Sequence, residues 1–244
     1  MTKSVQTVMA WSGVAFVVVF FAGFIVTGFF PPVEPNDTPQ QIAERYISDQ
    51  DRIRAGFVIM MVACVFLMPF AAIVSAQMAR IEGRWTPLTF LNLVAGAVGT
   101  VAALFPVILF IGIAYRPENR DPELLQALND FVWVPFIINW PPAFVMALCI
   151  AAVIFTDKRA DPIFPRWIAY FMMWAAIAFL PASFLPFFYD GIFAWNGLLT
   201  FWMAAVFFGS FYLVMTYACL RAVKLQYAAG SPDADTAVPD LLPA

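Results

Sequence analysis

Six apolar runs dominate the pattern of the chain: Val8–Phe30, Ile53–Ala76, Leu88–Tyr115, Phe131–Phe155, Trp167–Tyr189 and Gly197–Leu220. Each is longer than the ~20 residues that a helix needs to cross a bilayer, so the pattern predicts an all-α, polytopic bundle of six transmembrane helices. The first run resembles the apolar stretch of a signal peptide, but it is too long and is followed by Pro31-Pro32, with no small-x-small cleavage site. It is predicted to remain as a membrane anchor.

Between the runs, two polar connections carry helix-start signals. Thr38-Pro39-Gln40-Gln41 sets a capping threonine ahead of a proline at the first helical position, with Gln41 placed to close a capping box. Ile42 and Tyr46 then share one face at i, i+4, which predicts a short amphipathic helix lying at the membrane surface or against the bundle. Asp121-Pro122-Glu123 repeats the device ahead of the fourth run. The predicted organisation is a six-helix membrane domain over residues 1–226 and a disordered cytoplasmic tail over 227–244, where Gly230-Ser231-Pro232-Asp233 begins a Pro/Ala/Asp-rich stretch.

Composition agrees with this reading. Of 244 residues, 63% are apolar and 12% charged, against about 45–50% and about 25% in soluble domains. Lys3, Arg80, Arg84, Lys158, Arg159, Arg166, Arg221 and Lys224 fall on one side of the predicted membrane; Arg45, Arg52, Arg54, Arg116 and Arg120 fall on the other. Basic residues favour the cytoplasmic side, so both termini are expected there, with the short amphipathic helices extracytoplasmic. The net charge of -3 offers no basic surface for nucleic acid.

The absence of histidine removes His-ligated heme, His-bound metals and His-based catalysis. Cys64, Cys149 and Cys219 lie singly in apolar runs and read as core residues, so no metal and no cofactor is expected. No lysine within a run is available for a retinal Schiff base.

The prolines are the strongest local signal. Pro69, Pro106, Pro135, Pro141, Pro142, Pro181 and Pro186 fall inside or at the ends of the runs, and each frees a carbonyl that lipid cannot satisfy. Most lie in the outer half or near the midplane, where Asn139, Trp140 and Ser183 also stand. Asp130, Tyr189, Asp190, Trp195 and Asn196 sit at the outer rim of the last three spans. These eight residues are the candidates for a ligand pocket that opens outward. The competing expectations are plain: kinks that shape the bundle, aromatic residues in the interfacial belt, and Asp130 and Asp190 as helix caps. Gly96, Gly99, Thr100 and Ala103, with Ala205 and Gly209, read as close-packing positions, and Met60, Met61, Met172 and Met173 as core filler.

The motifs Phe164-Pro165-Arg166-Trp167, Phe193-Ala194-Trp195-Asn196-Gly197-Leu198, Phe201-Trp202 and Arg116-Pro117-Glu118-Asn119-Arg120, with Leu128-Asn129-Asp130, resemble those of a group of uncharacterised multi-span membrane proteins of actinobacteria and some proteobacteria. The resemblance runs from about Pro39 to Arg221. It implies a bacterial inner-membrane protein and no mechanism.

Three function classes follow. The first is a non-catalytic protein that binds a lipophilic ligand or serves as an accessory subunit of a membrane assembly, with membrane lipids, a membrane-protein partner or a homo-oligomer as company. The second is a small transporter with a site in the outer half, which lacks the intramembrane charge that ion coupling uses. The third is an intramembrane isomerase or cyclase working through an aspartate acid.

Overall fold

A computed structural model describes residues 2–228, and every regular element among them is helical. Six passes are long and apolar enough to cross a membrane: Lys3–Thr27, Gln50–Glu82, Pro87–Ile113, Pro122–Thr156, Arg166–Phe187 and Gly191–Gln226. The protein is a multi-pass membrane protein. Its outward surface carries the apolar residues that a soluble protein would bury: along the third pass, Phe90, Val94, Val98, Val101 and Phe105 are all exposed. Water would not tolerate that stripe; lipid does.

The first pass is one helix, α1 (Lys3–Thr27). It stops at Gly28, which adopts the left-handed φ of 77° and returns its N–H to the Ile25 carbonyl. A short helix α2 (Pro39–Ser48) follows, closed by the expected capping box between Thr38 and Gln41. The second pass is α3 (Gln50–Ala63) and α4 (Leu67–Glu82), joined through a 3₁₀ turn at Cys64–Phe66. Pro69 explains the turn, because it cannot donate to the Val65 carbonyl and the helix tightens just before it. The third pass, α5 (Pro87–Ile113), carries Pro106 without breaking. In the fourth, α6 (Pro122–Ile138) and α7 (Pro141–Thr156) are separated at Asn139-Trp140. Consecutive Pro141 and Pro142 remove two donors in a row there, more than one helix can absorb. The fifth pass is α8 (Arg166–Phe179) and then a 3₁₀ segment Leu180–Phe187 that contains Pro181 and Pro186. The sixth opens with a π turn, Leu198–Trp202, and continues as α9 (Met203–Gln226).

The passes form a ring in chain order. α1 packs on α3 and on α9, α5 on α3, α4, α6 and α7, and α8 on α7 and α9. α4 also touches α1, α7 and α9, so this half of the second pass fills the centre of the ring on one side. That side holds both ends of the bundle: Gln6 Nε2 donates to Tyr227 Oη at 3.1 Å, and Gln77 Nε2 donates to Gln6 Oε1 at 2.7 Å. We call it the terminal face and the other the distal face. Residues 229–244, which contain most of the expected tail, lie outside the described residues.

On the distal face, Ile42 and Tyr46 of α2 are buried against α6, and the Tyr46 hydroxyl donates to Asn129 Oδ1 at 3.2 Å. Burial pushes the Tyr46 phenol well above its ordinary pKa, which keeps it a donor. Arginines here close helix ends. Arg52 Nε donates to the Val26 carbonyl at the end of α1 (2.8 Å), Arg54 Nε to Ala114 beyond α5 (2.7 Å), and Arg120 to the Ile113 and Gly112 carbonyls. Cationic groups at helix C-termini satisfy orphan carbonyls and oppose the helix dipole. Most of the basic residues on the distal face therefore have a structural task.

Candidate functional site

The centre of the ring is not filled. A cavity of about 130 Å³ lies where all six passes converge. Its floor toward the terminal face is α4, through Leu67, Phe70 and Ala71. Toward the distal face an aromatic cluster covers it. Trp133, fully buried, stacks on Trp195 at 5.7 Å and on Phe29 at 6.0 Å, and Phe24, Phe110 and Phe136 surround it edge-on or tilted. Phe57 and Phe110 stack face to face beside them at 4.4 Å.

Local chemistry accounts for the space. Gly96, Gly99, Thr100 and Ala103 of α5 present their small side chains to the cavity, as do Ala204 and Ala205 of α9. Small residues at helical spacing predict close packing along this stripe. Part of that holds, since a side chain at Gly96 would collide with Ala71 and one at Gly99 would press on Pro142. The remainder of the stripe leaves room instead of contact.

Asn139 lines this cavity, and its side-chain amide donates to the Ala102 carbonyl at 3.2 Å. Ala102 lies four residues before Pro106, so its carbonyl is the one that Pro106 leaves without a helical partner. The break in the fourth pass thus repairs the defect in the third. Asn139→Leu keeps similar volume but cannot donate. It is expected to cost about 0.6–2 kcal/mol, the range of interhelical hydrogen bonds in membranes, and to lower the thermal midpoint in detergent. Pro106→Ala restores a backbone donor to Ala102 and is expected to recover the loss in the double variant. An unchanged midpoint for Asn139→Leu would show that the bond contributes nothing.

The other expected site residues divide. Trp140 lines the cavity beside Asn139 and packs edge-on against Phe144 at 5.5 Å. Trp195 is buried in the aromatic cover, and its Nε1 donates to the Val33 carbonyl at 2.8 Å. Asn196 Nδ2 donates to Glu34 Oε2 at 2.9 Å. Trp195 and Asn196 therefore pin the segment after α1 to the start of the sixth pass, outside the cavity. Ser183, Tyr189 and Asp190 are exposed on the distal rim and do not line it.

Asp130 is not a helix cap. α6 starts at Pro122, so Asp130 sits in its third turn, half-buried, accepting from Asn129 Nδ2 at 3.4 Å. The polar first turns of α6 hide the helix from an apolar count, so the fourth pass starts at Pro122, nine residues ahead of the apolar run that begins at Phe131. Asp190 precedes a short 3₁₀ turn, Gly191–Phe193, and makes no side-chain capping bond. The three cysteines are free and buried, and no group of three metal-ligating side chains occurs among the described residues.

Thr200 was not among the expected residues. It lies in the π turn, lines the cavity and is fully buried, and its hydroxyl has no hydrogen-bond partner. The signal in the sequence was faint: one threonine between Leu199 and Phe201 near the start of the sixth run.

A family model described as "Domain of unknown function (DUF4386)" matches residues 12–217. The chain belongs to this family. No curated protein and no solved structure matches it. The DUF4386 match starts within α1, ahead of Pro39 where the motif resemblance begins, and ends within α9. Every residue that lines the cavity, from Phe20 to Tyr212, falls inside the DUF4386 region.

Proposed function

We propose that the protein is a non-catalytic membrane protein that binds a lipophilic ligand in the cavity at the centre of its six spans. The observation that carries this reading is the cavity itself, walled by aromatic rings and small side chains and free of any charged residue. Apolar cavities of about 150 Å³ stay dry and accept apolar guests such as benzene.

The motif resemblance favours a bacterial inner membrane, and the split of basic residues favours both termini on the cytoplasmic side. Membrane lipids supply the ligand or its route, and assembly with a second copy or another membrane protein is compatible with the exposed apolar surface. A transporter is the second reading, favoured by the broken fourth pass beside the cavity, since discontinuous helices line transporter sites. The enzyme reading loses ground because neither Asp130 nor Asp190 lines the cavity, and a general acid must stand within hydrogen-bond reach of its substrate.

Photolabelling with a long-chain alkyl diazirine tests the binding reading. Adducts are expected on the cavity-lining stretches, Phe136–Met146 and Thr200–Tyr212, and an excess of the unlabelled alkane should reduce them. Adducts confined to lipid-facing Val94, Val98 and Val101, and insensitive to competitor, would overturn it.

A further inference from the structure

Resting on the reading of the cavity as a lipophilic-ligand site, we infer that the ligand carries a hydroxyl or carbonyl oxygen and that Thr200 Oγ is the group that binds it. Threonine in a helix ordinarily turns its hydroxyl back to a carbonyl three or four residues earlier. The other buried threonines among the described residues all give theirs to protein. Thr27 donates to Phe24 O, Thr89 to Glu82, Thr100 to Gly96 O, and Thr216 across to Ala10 O in α1. Thr200 alone among them has no partner. A buried polar group left unpaired is costly, and in hydrocarbon water does not reach it to compensate.

The backbone around Thr200 is itself irregular. The Gly197 carbonyl takes the N–H of Phe201 at 2.9 Å and that of Trp202 at 3.4 Å, the widened turn of a π segment. Such turns occur often at functional sites. Gly197 is held in that turn because a side chain there would run into the carbonyls of Gly191 and Ile192. Of the other polar side chains on the wall, Asn139 gives its amide to Ala102 and Thr100 its hydroxyl to Gly96, while Trp140 and Tyr212 present ring systems with a polar tip. A fully buried, unpaired hydroxyl on the wall of an apolar, ring-lined chamber recognises an apolar molecule by one oxygen. A hydroxyl both donates and accepts, so it meets an alcohol or phenol as readily as a ketone.

Two nearly isosteric probes separate this inference from the reading beneath it: 4-fluorophenol and 4-fluorotoluene, titrated against the full chain in detergent and followed by fluorine NMR. Thr200→Val is expected to weaken 4-fluorophenol about fivefold, the equivalent of one neutral hydrogen bond, and to leave 4-fluorotoluene unchanged. Thr200→Ser should restore the phenol. If Thr200→Val does not fold, Thr200→Ala removes the same hydroxyl and is expected to give the same contrast. Equal 4-fluorophenol affinity in the wild type and the hydroxyl-free variant, with 4-fluorotoluene still bound, overturns the assignment to Thr200 and leaves the cavity reading standing. Failure of both probes to bind the wild type overturns both.

Discussion

Gly56→Leu is expected to prevent the bundle from assembling. α1 and α3 cross where Gly23 faces Gly56, and a Cβ at Gly56 would stand 2.5 Å from the Thr27 backbone nitrogen and 2.6 Å from the Gly23 carbonyl oxygen. These are backbone atoms, so no rotamer change relieves the clash and the two helices must separate. Small residues permit this kind of approach between membrane helices, where packing and hydrogen bonding, not water, drive association. Separation also pulls Phe24 and Phe29 from their neighbours Phe57 and Trp133 in the aromatic cover. The expected loss is about 3 kcal/mol or more, at or beyond the upper end of ordinary overpacking. It should appear as loss of the monodisperse peak in detergent, with Gly56→Ala affected less. Gly112, whose added Cβ would meet open space, is the control position. A wild-type thermal midpoint for Gly56→Leu would contradict the crossing.

The second large effect is expected from Ala103→Phe, which should abolish ligand binding while the protein stays folded. Ala103 lines the cavity from α5, as Ala204, Ala205 and Phe208 line it from α9. A cavity of about 130 Å³ is close to the size that holds one benzene ring, so a phenyl group supplied by the chain itself takes the room. Filling a void with an apolar ring adds packing contacts, and the thermal midpoint is expected to stay level or rise. Photolabelling of the cavity-lining stretches should fall by more than tenfold. Undiminished labelling in the folded variant would place the ligand elsewhere.

What the sequence disclosed depended on the range of the interaction. The six spans were legible because length and apolarity are properties of each run alone, and the capping box at Thr38 because its four residues are neighbours. Proline gave half of the Asn139 result: Pro106 identifies Ala102 as an orphaned acceptor by counting back four residues. The donor, thirty-seven residues further along, depends on how two spans are turned toward one another, which no local pattern encodes. The place of Asp130 inside α6 escapes a local pattern for a related reason. The polar first turns of α6 run into an apolar span, and the apolar count locates only the second part. Gly96 to Ala103 were recognised as small, yet whether small residues bring helices together or leave space between them depends on the opposite wall. At Gly96 the opposite wall is Ala71, in contact. At Ala103 it is a cavity.

The claim that the centre of the bundle holds a lipophilic guest is tested most directly by mass spectrometry of the protein released gently from its native membrane. The expected result is one small lipophilic species, retained in about equal molar amount through washing and missing from Ala103→Phe prepared in the same way. Only bulk membrane lipids, present in the membrane's own proportions and identical in the two preparations, would contradict it.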